Sequence, residues 1–251
     1  MPVPLDDDTR TPASRTARER VRRELTREIT DVARRHLAEA GAASLSVRAI
    51  ARELGMASSA LFRYFPNRDA LLTALIVDSY GSLGDHVEAA ERAVHDADVA
   101  TRWSAVCHGV RDWARTHPHE YALIYGSPVP GYAAPQDTVG PASRVPLLLG
   151  SLLADMAARA DDRRPDDAGP GAPPAAPAPE DDALAGALAP VRATMPDEVP
   201  VDLLARGLMA WTFLFGAVSF ETFGHLHGVV DDLDAWFDHE VHRVADALGL
   251  R

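Results

Sequence analysis

Between Ser44 and Leu72 the chain reads SLSVRAIARELGMASSALFRYFPNRDALL. Ser46, Arg48, Ser58, Ser59, Arg63, Tyr64 and Arg68 all carry hydrogen-bond donors there, and Ser58, Ser59 and Ala60 form a run of small side chains. An arginine fork can engage two acceptors at once, which suits a guanine edge or a phosphate. A hydroxyl donates one bond, and in protein–DNA contacts it goes most often to a phosphate oxygen. Small residues at the tip of a helix let it sit deep in a groove. The chemistry offered is recognition of a polyanion with readable edges.

Those donors need elements to hold them. Val47, Ile50, Ala51 and Leu54 recur at i, i+3, i+4 and i+7, with Ser46 as N-cap, so a helix begins near Ser46. Gly55 breaks the pattern, and Ser58–Phe65 reads as a short helix ended by Pro66. Leu61 and Phe65 join the four apolar positions to lock the two helices together, which makes a helix-turn-helix. Before it, Val21, Leu25, Ile29, Val32, Ala33 and Leu37 predict a first helix at about Thr16–Ala40, stopped by Gly41. The second helix of such a pair enters the major groove with its N-terminal residues at base edges.

Charge is divided to match. From Thr9 to Arg68 there are 13 Arg against 6 acidic residues, net +7, although the whole chain of 251 residues carries −12. A basic head on an acidic body places an anionic partner at the head alone. Every formal cation is Arg. The single cysteine, Cys107, excludes an internal disulfide and fits a reducing, cytoplasmic setting. The longest uncharged apolar run, between Arg206 and Glu221, is fourteen residues, short of the roughly 20 of a membrane span, so no membrane is expected.

The rest of the pattern is helical. A long helix runs from Arg68 to about Val94, with Asn67 as N-cap and Asp69 in its first turn. Helices follow at about Val99–Thr116 and Glu120–Tyr125, a turn-rich loop at Gly126–Pro141, and a helix at Ala142–Arg159. Ala160–Pro200 holds nine of the 19 prolines and is expected to be a disordered link. Val201–His227 and Leu233–Leu248 close the chain. The expected fold is all-α: a disordered tail over 1–14, a helix-turn-helix domain over 15–66, and a helical effector-binding and dimerisation domain over 67–251.

The helix-turn-helix resembles the DNA-binding domain of the TetR family of bacterial regulators. The likeness lies in Ile50-Ala51-Arg52-Glu53-Leu54-Gly55, then Leu61-Phe62-Arg63-Tyr64-Phe65, then Pro66-Asn67-Arg68-Asp69-Ala70-Leu71. The resemblance implies base or phosphate contact at Arg48 and a recognition-helix tip at Ser58, Ser59 and Ala60. It implies phosphate contacts at Ser46, Tyr64 and Arg68. Ala57 replaces the usual opening Ser, which would leave capping to Ser58. Phe62 replaces a common Tyr, and Ala60 a frequent Thr. Further on, His117-Pro118-His119-Glu120-Tyr121 and Trp211 followed by Phe215-Gly216 resemble one actinobacterial-type branch of the effector domains, in which Phe215 stands where a His is common.

The implied protein is a sequence-specific regulator, most simply a ligand-responsive repressor that binds a palindromic duplex DNA operator as a homodimer through its two C-terminal helices. The alternative is a helical ligand-binding or adaptor protein that has lost operator binding. An enzyme is disfavoured: GxSxG, a P-loop, HExxH and CxxC are all missing from the sequence. Trp103, Cys107, Tyr121, Tyr125, Trp211 and Phe215 are candidates to line a small-molecule effector cavity, or simply to pack the core. The tail arginines Arg10, Arg15, Arg18, Arg20, Arg22 and Arg23 either grip phosphate or solubilise the head. His225-x-His227 and His239-x-x-His242 read as surface histidines, so no metal or other cofactor is implied.

Overall fold

The computed structural model describes residues 12–162, 182–196 and 199–250. Eleven α-helices run through them, and no strand is present among the described residues. The chain divides into two compact units, one ending at Asp78 and also including Ser127–Pro135, the other comprising Ser79–Gly126 and Gln136 onward.

The first unit holds α1 (Pro12–Ala40), α2 (Val47–Glu53), α3 (Ser58–Leu61) and the first turns of α4 (Arg68–Arg92). The helix α1 opens at Pro12, ahead of the expected Thr16, and so takes in part of the tail that was expected to be disordered. Proline suits a first helical turn because its φ is preset and its missing N–H would find no partner there anyway. Gly41, at φ 73, ends α1, and its N–H closes on Leu37 O at 2.9 Å.

The apolar stripe of α1 buries Ile29, Val32, Ala33 and Leu37. They pack in a core with Ile50, Ala51, Leu61, Phe65, Leu71 and Leu72, all buried. Each large aliphatic sealed this way contributes about 1.5–3 kcal/mol. At the rim, Glu53 accepts from Arg35 Nη2 at 2.7 Å and pairs with His36 Nε2 at 2.6 Å, which pins α2 to α1. Arg34 bridges Asp31 at 2.6 Å and Asp78 at 3.0 Å. In the Ser127–Pro135 segment, the Tyr132 hydroxyl lies 2.9 Å from Thr73 Oγ1.

The recognition helix is shorter than the Ser58–Phe65 read from the sequence. After Leu61 the bonding becomes mixed: Tyr64 N–H reaches Leu61 O at i→i+3, 2.8 Å, and Phe65 N–H shares the same carbonyl at i→i+4, 3.1 Å. Pro66 also biases Phe65 away from helical angles. No side chain caps α3, so Ser58 does not replace the missing Ser at Ala57.

The second unit is built around α5 (Val99–Thr116). Its neighbours are the rest of α4, α6 (Pro118–Tyr125), α7 (Val139–Asp162), α10 (Val201–Thr222) and α11 (Leu233–Leu248). Val106, Cys107, Val110, Trp113, Tyr121, Leu204, Leu214 and Phe237 are fully or almost fully buried in one continuous core. Two arginines of α5 act as buried cross-braces. Arg102 pairs with Glu91 and with Asp155, each at 2.6 Å. Arg111 pairs with Glu221 at 2.7 Å and Asp234 at 2.8 Å, beneath the Phe237 ring.

Four expectations need correction. The Gly126–Pro141 loop is shorter, because α7 already starts at Val139 and carries Pro141 in its first turn. Ala160–Pro200 is not wholly unstructured: α8 (Asp182–Ala187) and α9 (Ala189–Arg192) lie within it, while 163–181 and 197–198 lie outside the described residues. Leu188, between those helices, is buried in the core, and Leu184 and Met195 pack against it. Three apolar anchors thus hold the described residues 182–196 against the core. The first C-terminal helix ends at Thr222, not His227, where Gly224 turns the chain at φ 77. Finally, α10 is long and apolar enough to cross a membrane by length and composition. The fourteen-residue count missed this because Arg206 interrupts a longer apolar window. In the fold, Leu203, Leu204, Ala210, Leu214, Phe215, Ala217 and Val218 of this helix are buried in protein.

Candidate nucleic-acid interface

The interface begins with caps and turns. Ser46 Oγ accepts from Ala49 N–H at 3.4 Å and starts α2, which puts Arg48 in the first turn. Gly55, at φ 63, takes the chain out of α2, and Met56 N–H returns to Ala51 O at 2.8 Å. An L-residue with a side chain resists that left-handed angle. With Val47, Ile50, Ala51 and Leu61 buried below, the residues between them are left facing out.

Arg48, Ser59, Phe62 and Arg63 are exposed, and Ser58, Ala60 and Tyr64 are half-buried. Arg48 and Arg63 take part in no ion pair among the described residues. Arg68 differs: its Nη2 donates to Ala42 O at 2.8 Å and Ala43 O at 3.3 Å, and its Nη1 lies 3.8 Å from Asp69. Its guanidinium therefore closes the turn after α1. Asn67 Oδ1 accepts from Ala70 N–H at 2.8 Å, so the N-cap read from the sequence is present.

Two residues were not singled out for what the structure gives them. Arg22 sits with its guanidinium carbon 5.3 Å from the centroid of the Tyr64 ring. The signal in the sequence was a cation continuing an apolar helical stripe. Phe62, read only as a lost hydroxyl, is 39% exposed, a large apolar ring on the outside of the recognition segment. Arg10, and the side chain of Arg15, lie outside the described residues.

The effector candidates separate into two groups. Tyr121, Tyr125, Phe215 and Trp211 form an aromatic chain with centroid spacings of 5.1, 4.4 and 5.9 Å. Tyr121 O–H, which is 3.2 Å from Phe215 O and 2.9 Å from Ser219 Oγ, is pushed by burial up to about 12. Burial raises Tyr125 further, and the neighbouring Tyr80 and Tyr121 add to the rise. Trp103 instead donates from Nε1 to Val241 O at 3.1 Å. It lines a small apolar cavity with Leu152, Leu153, Gly207 and Ala210 that has room for about one or two waters. Cys107 is fully buried, and desolvation drives its thiol well above the usual range, so it is held as an inert thiol.

Residues 29–75 match the model of the bacterial regulatory proteins of the tetR family, and residues 103–244 match the tetracyclin repressor-like C-terminal domain. The HTH-type transcriptional regulator Rv1816 of Mycobacterium tuberculosis is 40% identical over 208 residues, 81% of this chain and 82% of the relative. The crystal structure of the regulatory protein SCO4313 is 34% identical at a TM-score of 0.69, covering 90% of this chain and 97% of the other. A protein of unknown function from Rhodococcus sp. RHA1 shares the fold at a TM-score of 0.61 and 22% identity, over 89% and 94% of the two chains. An exposed arginine face on a helix-turn-helix, both family models and a 40% identical regulator converge: the chain is a transcriptional regulator of the TetR family.

Proposed function

We propose that the protein is a ligand-responsive repressor that binds a palindromic duplex operator as a homodimer. Arg48, Ser58, Ser59, Ala60 and Arg63 are its reading face, and Ser46 and Tyr64 are phosphate contacts. Arg68 acts mainly by holding the turn at Ala42 and Ala43 and secondarily through phosphate. The observation that carries the reading is that Arg48 and Arg63 are exposed and unpaired among the described residues on α2 and just after α3, while the arginines behind them, Arg34, Arg35 and Arg68, are engaged within the domain.

The second copy meets this one across α10 and α11. Leu208, Met209, Phe220 and Phe223 are large apolar side chains 39–54% exposed on or just after α10, a patch that a partner would cover. Two recognition helices about 34 Å apart then address the two half-sites. The effector is a small apolar molecule taken up beside the Tyr121–Tyr125–Phe215–Trp211 chain. Its binding biases α4, which begins in the head and continues into the body, and it needs only about 1–3 kcal/mol of differential affinity to change operator occupancy 5–150-fold.

Selection of bound molecules from random duplex DNA at two salt concentrations tests this. An enriched palindrome is expected. Salt-sensitive binding without an enriched sequence would mean phosphate contact alone and overturn the operator. Failure to bind at either salt would favour the adaptor reading.

A further inference from the structure

The long first helix carries five exposed arginines, Arg18, Arg20, Arg22, Arg23 and Arg27. Its core-facing stripe can be followed outward from Ile29, which is fully buried, through the half-buried Leu25 to the exposed Arg22 and Arg18. These four stand at i+11, i+7, i+4 and i, one face of a helix. Arg22 is held in place by Tyr64, over whose ring it lies at 5.3 Å. A guanidinium held by its charge over a ring spends none of its five N–H donors. Among the described residues neither Arg18 nor Arg22 takes part in an ion pair. Arg20, Arg23 and Arg27, also exposed, lie on the opposite face at i, i+3 and i+7.

We propose that the Arg18–Arg22 face of α1, continuous with Tyr64, is a second contact surface for the sugar-phosphate backbone of duplex DNA, beyond the reach of α2 and α3. Charge complementarity selects that occupant: the head is basic on a chain that is otherwise acidic. Tyr64 joins the two surfaces: its ring lies beneath Arg22, and the residue itself stands three positions after the end of α3. The face carries no base readout. It adds affinity and salt dependence uniformly across sequences. The proposal rests on the DNA-binding reading above, and the experiment separates the two.

The duplex selected by the wild-type protein is titrated by fluorescence anisotropy across a salt series. Two double variants remove the same charge from opposite faces: Arg18→Ala with Arg22→Ala, and Arg20→Ala with Arg23→Ala. Removing one arginine from a phosphate lowers the slope of log K against log salt by about 0.9, so the first pair should lower it by roughly 2 per protomer. The second pair should lower it by less than half as much. Arg22→Lys should retain most of the slope, and circular dichroism melts should coincide for all variants. Equal reductions from both pairs would mean a diffuse field and overturn a face-specific surface. An unchanged slope in the first pair, with the selected palindrome still bound, would remove the α1 surface and leave the operator reading standing. A wild-type protein that selects no duplex would overturn both.

Discussion

At the scale of single residues, arginines of one charge have different duties. Arg68 closes the turn after α1 through two carbonyls, so Arg68→Ala should cost about 1–3 kcal/mol of stability in urea melts as well as DNA affinity. Arg48→Ala and Arg63→Ala should leave stability within about 0.5 kcal/mol, because surface changes away from any network rarely do more. Anisotropy on the selected duplex should nevertheless show each weakening binding, by about 1–3 kcal/mol if it reads a base. In the body, Tyr121→Phe removes the hydroxyl that meets Ser219 and Phe215 O, and should cost about 1 kcal/mol. An unchanged melt would mean that the buried hydroxyl contributes nothing. The donors at Arg48, Ser58 and Arg63 were legible in the sequence because the apolar pattern left them over. The commitment of Arg68 was not, since its partners are backbone carbonyls more than twenty residues away.

Between elements, ion pairs set the response to acid. Glu53 is held below its ordinary value chiefly by the Arg35 hydrogen bond and then by His36. A carboxylate lowered in the folded state stabilises fully above its unfolded value of 4.5 and loses that contribution as pH falls through the folded value. Melting temperatures of the wild type should therefore fall more steeply below pH 4.5 than those of Glu53→Gln, and parallel curves would remove Glu53 from the acid response. The brace between α5 and α10 is deeper. Its Arg111 side chain is 4% and its Glu221 side chain 10% exposed, so Arg111→Ala leaves the buried carboxylate to the exposed Arg115, 4.0 Å away, and should cost about 3 kcal/mol in urea unfolding. Most helices were readable from periodicity: Val99–Thr116 and Leu233–Leu248 match the expected bounds. Three of the misses share one cause. Prolines at 12, 141 and 190 mark irregular chain to a reader of composition, yet each fits a first helical turn when apolar neighbours such as Leu188 find a core.

For the whole molecule, the exposed apolar patch on α10 and the make-up of the head decide the behaviour. Phe220→Glu should raise the dimer dissociation constant by about thirtyfold or more in sedimentation equilibrium, as loss of an interface hot spot does. Operator affinity should fall with it, and a dimer of unchanged strength would place the interface elsewhere. The head itself is not one continuous stretch of chain. It ends at Asp78 and is then completed by Ser127–Pro135, where Tyr132 meets Thr73. A reading head cut out at residue 78, or transplanted onto a foreign regulator to build a new sensor, would leave those nine residues behind. Working chimaeras of this protein must therefore carry two grafts, the chain up to Asp78 and the separate Ser127–Pro135 segment.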